Sequence, residues 1–275
     1  MDAKLSLYDF LAYILPGAII AILLYWFSIS FLALASFSHV NIPDAVSFLL
    51  FLILSYFLGH VVQSIGAKYQ RQKEEKDGWL SEKYLLDDNS HYTKEYRDSL
   101  KASIEFHFNL KPDITSTATV DDQKRRQQET FYLCNSLLRQ ELTTSNSEIF
   151  RTICALYRSL YIVMRIGMWI GGLIFFKQTV WLISLLIHRS LPSYSFFTFD
   201  FEQLFLGIVL VPFFWWVKSR LGLRWDQYTE YYVDSVYTNF YAWHCLKYKQ
   251  SVPKPDPPSE ATGPNGASQQ QNVSA

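Results

Sequence analysis

The chain has 275 residues, equal numbers of basic and acidic side chains, 49% hydrophobic residues and three cysteines. Zero net charge argues against a nucleic-acid surface, which carries a basic excess. Cys134, Cys154 and Cys245 form no CxxC pair, which argues against a disulfide framework or a zinc knuckle.

The apolar residues gather in blocks near positions 10–37, 45–67, 166–187 and 196–217, while the stretches between and after them hold nearly all the charge. This pattern predicts an all-α integral membrane protein: four transmembrane helices, with a helical cytoplasmic domain inserted between the second and the third. The segments are 1–67 (an interfacial stretch and helices 1 and 2), 68–165 (the cytoplasmic helical domain), 166–217 (helices 3 and 4), 218–250 (a cytoplasmic amphipathic aromatic helix) and 251–275 (a disordered tail).

Phe10 to Phe37 is uncharged throughout and as one helix would reach about 42 Å, more than the ~30 Å hydrocarbon core requires. Pro16-Gly17 is the expected divider, with Leu5 to Leu15 along the interface and Gly17 to Phe37 crossing. Ala33-Leu34-Ala35 resembles a signal peptidase site, but the apolar run exceeds the ~7–15 residues of a secretory core. Ala45 to Ala67 is long enough to span with some tilt. Its His60 and Gln63 suit either a polar pathway or the wet cytoplasmic end of the helix.

The third block, Ile166 to Ile187, holds Lys177 in its middle. An ionised side chain at the bilayer centre costs from ~3 kcal/mol upward, so it needs a partner or a route to water. Counted from the charged ends of the two helices, Lys177 and Glu202 fall within about 6 Å in depth. They are the candidate intramembrane charge pair, with snorkelling of Lys177 as the other reading. Gly167 and Gly171 form GxxxG with Gly172 adjoining, a face for close helix contact within or between subunits. The fourth block is free of charge only from Gln203 to Val217 and borrows the aromatic stretch Ser195 to Phe199.

Fifteen of the 25 Lys and Arg lie between Lys68 and Arg158 and six follow Val217, against none between Ser38 and Asp44 and Arg189 alone between the last two blocks. The positive-inside rule then places the large connection and both termini in the cytoplasm.

In the polar stretches, Tyr92, Tyr96, Leu100 and Ile104 recur at helical spacing, and Asn109 to Val120 interrupts the pattern. Thr119 to Asp122 reads as a helix cap followed by Phe131, Cys134 and Leu138. Ser145-Asn146-Ser147-Glu148 matches a capping box and opens a helix expected to enter the membrane unbroken. Trp225, Tyr228, Tyr232, Val236, Phe240 and Trp243 mark an aromatic helix over about Leu223 to Tyr248. The aromatic partner face Trp225, Tyr228, Tyr232, Phe240 and Trp243 would pack on the central domain or lie on the headgroups.

No catalytic, phosphate-loop or metal motif is present, so no enzyme activity, cofactor or metal is expected. The six histidines are scattered, and Glu105 and His107 face different directions on one helix.

Tyr8-Asp9-Phe10-Leu11-Ala12-Tyr13-Ile14-Leu15-Pro16-Gly17 resembles the entry of uncharacterised bacterial multi-pass membrane proteins with a YDFxxYxxPG start, some found among phage-defence or mobile-element genes. The resemblance covers ten residues. It implies a bacterial inner membrane and a role in defence.

Together these features give a leading expectation of an oligomeric membrane effector or sensor whose cytoplasmic domain receives a small ligand or partner protein and changes membrane permeability. Its partners are the lipid bilayer, further copies of itself and the cytoplasmic ligand or protein, with no nucleic acid. The alternative is a non-conducting anchor or scaffold for a soluble partner. A transporter or membrane enzyme has the least support, since no internal repeat is evident.

Overall fold

The computed structural model of the protein describes residues 10–32, 43–78, 80–85, 92–110, 120–141, 146–188 and 201–249. The expected interfacial stretch before Phe10, the aromatic residues 195–199 and the tail 251–275 lie outside them. Among the described residues all regular structure is helical. A π-helical turn, Phe10–Ile14, leads into α1 (Leu15–Leu32), followed by α2 (Asp44–Asp77), α3 (Leu80–Leu85), α4 (Lys94–Phe108), α5 (Val120–Glu141), α6 (Asn146–His188) and α7 (Phe201–Lys249).

Four of these, α1, α2, α6 and α7, are long and apolar enough to cross a membrane, which marks the chain as a membrane protein. Their outer faces agree with that reading. On α2, Phe48, Leu49, Leu50, Ile53, Leu54 and Phe57 are each more than half exposed, and Trp169, Phe176, Phe205 and Trp215 stand out from α6 and α7. An apolar surface this continuous is stable only against lipid or further protein.

Three helices are longer than a bilayer requires: α2 reaches about 51 Å, α6 about 64 Å and α7 about 73 Å. The sequence suggested a separate aromatic helix after the fourth apolar block, but α7 runs unbroken from Phe201 to Lys249. Only Gly222 weakens the join. One glycine costs a helix about 1 kcal/mol, which packing against the Tyr161 ring outweighs.

At the expected division by Pro16-Gly17 the helix changes type without ending, from π-helical up to Ile14 to α-helical from Leu15. The chain is helical on both sides of Pro16, with the π-helical turn just before it. Pro16 has no N–H to offer the carbonyl four residues back, Ala12, and the side chain of Gln63 on α2 donates to that oxygen at 3.0 Å instead.

The helices pack around two cores. The first holds Ile20 and Leu23 of α1, Val62 of α2, Ile162, Val163, Ile170 and Ile174 of α6, and Phe214 of α7. Here α1 and α2 run antiparallel, brought together by two glycines. A β-carbon on Gly17 would sit 1.7 Å from the Ser55 carbonyl oxygen, and one on Gly59 would sit 2.0 Å from that of Tyr13. No side chain larger than hydrogen fits at either place. The second core joins α3, α4 and α5 to the C-terminal half of α7 through Leu85, Leu100, Ile104, Cys134, Leu138, Val236, Tyr237 and Phe240.

Local signals account for the short elements. Thr93 caps α4 by accepting from the Tyr96 N–H, and Asn109 ends it in the left-handed conformation with φ 51°. α6 begins at Asn146, inside the capping-box match, and its Glu148 carboxylate holds Arg139 of α5 and Arg151 of its own helix.

Candidate functional site

Where the apolar run of α2 gives way to polar residues, a partly buried chain of hydrogen bonds ties α2, α6 and the π-helical turn together. Gln63 stands at its centre. Its amide nitrogen donates to the carbonyls of Ala12 and of Ala155 on α6, at 3.0 and 3.2 Å. Its amide oxygen accepts from Arg158 Nη2 at 2.8 Å. Arg158 Nη1 donates to Gln70 Oε1, and Gln70 Nε2 in turn donates to Glu74 Oε1 at 2.6 Å. The helical spacing of Gln63, Gln70 and Glu74 puts all three on the side of α2 that meets α6. Gly66 lies between them, and a β-carbon there would come within 3.1 Å of the arginine stem. Arg158 Nε is buried and has no hydrogen-bond partner among the described residues.

This arginine borders a cavity of about 360 Å³ whose walls include Tyr13, Gln70, Arg151, Cys154, Thr229 and Tyr232. A second space of about 250 Å³ adjoins it through Gln70 and Thr229, lined also by Lys73, Glu74, Trp225 and Asp226. Lys73 spans its mouth, paired with Asp226 and 5.3 Å above the Trp225 ring. The cavities therefore lie where α2, α6 and α7 leave the apolar core. Arginine, amide and hydroxyl groups facing one space suit a small polar ligand with negative charge, and the arrangement brings no nucleophile beside a base.

The residues singled out in the sequence have definite places. Lys177 donates from Nζ to the carbonyl of Ser30 at 2.7 Å. Ser30 is near the C-terminal end of the described α1, so this bond ties α6 to α1 there. The lysine thus lies level with Ser30 of α1. The next residue, Gln178, is buried and donates to Gln203 on α7 at 2.9 Å, one position along from Glu202.

Gly167 faces Phe214 of α7 and Leu23 of α1, and Gly171 faces Val211 of α7. Both therefore serve contacts within one chain, whereas Gly172 has open space around it. Of the aromatic face, Phe240 is fully buried and stacks on Phe108. Tyr228 stacks on Tyr157, Tyr232 meets Phe131, Trp225 is buried beside Tyr69 and Tyr161, and Trp243 approaches His107. This side of α7 is largely occupied by the chain's own helices.

Sequence reading missed three features. Arg158 and Gln63 lie about ninety-five positions apart, and their pairing becomes visible only once α2 and α6 are packed. The unsatisfied carbonyl that Pro16 leaves behind was the available hint that a polar donor must reach Ala12. Gly59 carries one of the two closest helix approaches without belonging to a glycine repeat. The third is a histidine pair: His107 Nε2 and His244 Nδ1 are 2.8 Å apart, joining the ends of α4 and α7. His60 instead stacks on Tyr13 with its other edge to Tyr56.

No family model matches this chain, and no curated protein or solved structure gives a match either.

Proposed function

We propose that the protein is an oligomeric effector or sensor of a bacterial inner membrane, in which the state of a cytoplasmic helical domain sets the packing of four transmembrane helices and with it the permeability of the membrane. The observation that carries this reading is mechanical. α6 and α7 each pass without a break from the apolar core into the polar helices, so a displacement at one end has a rigid path to the other. The Gln63–Arg158–Gln70 chain and its cavity sit at the crossing point, where a bound anionic ligand or a docked partner would compete for Arg158.

The distribution of Lys and Arg supports placing both termini and the polar domain in the cytoplasm. The N-terminal resemblance supports a bacterial membrane and a part in anti-phage defence. The broad apolar belt on α1, α2, α6 and α7 leaves room for subunit contacts as well as lipid.

The test is membrane potential in cells expressing the chain, followed with a potential-sensitive dye. Wild type is expected to depolarise the cells, and Lys177→Leu, which removes the bond from α6 to Ser30 of α1, to change the extent. Cells that stay polarised with both proteins at equal membrane abundance would favour a non-conducting anchor.

A further inference from the structure

A separate groove lies between α2 and α6, on the side of α2 turned away from Gln63 and, on α6, one to three turns beyond Arg158. Its floor is apolar: Ile65 of α2, with Ile162, Ile166 and Trp169 of α6. Two cations stand at its rim, Lys68 and Arg165. Lys68 directly follows the uncharged run that ends at Ala67, and Arg165 directly precedes the one that begins at Ile166. The groove, with a volume of about 250 Å³, therefore lies where apolar helix surface meets charge. The Arg165 guanidinium lies 5.3 Å above the Tyr69 ring, which fixes its position without neutralising it. Trp169 is 65% exposed at the same level, as interfacial indoles are.

We propose that this groove binds one anionic glycerophospholipid. A basic rim over an apolar floor matches such a lipid in both parts: the phosphodiester faces Lys68 and Arg165, and an acyl chain lies along the isoleucines and Trp169. Gln72, one turn beyond Lys68 and also on the groove wall, offers an amide to the headgroup. Bound there, the lipid would bridge α2 and α6 a turn or more beyond the junction that Arg158 holds. The inference rests on α2 and α6 spanning a bilayer and does not depend on whether the protein conducts.

The experiment is native mass spectrometry of the full-length protein in neutral detergent, titrated with phosphatidylglycerol or phosphatidylcholine. Each basic side chain near a membrane surface favours an anionic lipid by a factor of about five, so wild type should retain phosphatidylglycerol over phosphatidylcholine by roughly thirtyfold. Lys68→Gln with Arg165→Gln should bring the two lipids close to parity. The charge-conserving pair Lys68→Arg with Arg165→Lys should keep the preference. Both side chains are exposed, so an unchanged size-exclusion profile is expected and confirms that the variants fold. Equal retention of the two lipids by wild type would overturn the proposal, as would a preference that survives the double glutamine variant. Displacement of the lipid by millimolar inorganic phosphate would also overturn it, since the site would then be one for a free anion.

Discussion

Replacing Arg158 by methionine keeps most of the stem that packs on Gly66 and removes the guanidinium. Two amide oxygens, on Gln63 and Gln70, then lose their donor. A buried acceptor left unsatisfied costs about 1–3 kcal/mol, which for two gives an upper range of about 2–6 kcal/mol. The adjoining cavity lets water reach the freed groups, which favours the lower half of that range. The expected loss is therefore about 2–4 kcal/mol, or roughly 4–16 °C in thermal midpoint at about 2–4 °C per kcal/mol. The assay is thermal unfolding of purified protein in mild detergent, with Gln63→Leu and the double variant completing a cycle. Arg158 and Gln63 should be coupled by about 1 kcal/mol or more. Midpoints within about a degree of wild type, or strict additivity in the cycle, would refute the view that this network holds the junction together.

Glycine substitutions should separate sharply by position. Gly59→Ala forces a β-carbon into the Tyr13 carbonyl and should cost about 3 kcal/mol or more, at the upper end of overpacking penalties, whereas Gly172→Ala meets open space and should be neutral or stabilising by up to about 1 kcal/mol. Both are read from unfolding midpoints. Burial holds the His107 imidazole below its ordinary range, and the neighbouring charge of His244 acts in the same direction. The unfolded chain then takes up a proton more readily than the folded one, so the stability this site contributes is full above about pH 6.5 and falls as the pH drops below it. His107→Gln should flatten the slope of midpoint against pH between 7.5 and 5.5, and an unchanged slope would remove the pair from the account. Tyr237→Phe should cost under about 1 kcal/mol, because the hydroxyl's bond to Ser81 is long at 3.5 Å, while Tyr237→Ala should cost about 3–5 kcal/mol by emptying the second core.

Periodicity and hydropathy were enough to read the helices themselves from the sequence. The apolar blocks coincide with helices able to span, and the capping match at Ser145 to Glu148 marks where α6 begins. What a linear pattern could not supply was continuity and partnership. α7 reads as two elements because its hydropathy changes at Lys218, but a charge does not end a helix, and no proline follows to do so. Depth alone places Lys177 near Glu202 and leaves azimuth free, so the bond from Lys177 to the Ser30 carbonyl of α1 and that from Gln178 to Gln203 of α7 were not legible in the sequence. The Gln63–Arg158 link was hidden for the same reason, since each looks like an ordinary polar residue near a helix end until the two helices cross.

The central claim is that packing at the junction governs permeability, and it is tested most directly on one preparation reconstituted in liposomes, with subunit number and potassium efflux measured together for wild type and Arg158→Gln. A defined oligomer is expected, with efflux that exceeds that of protein-free vesicles and changes when Arg158 is replaced. A monomer, with efflux equal to protein-free vesicles in both cases, would contradict it.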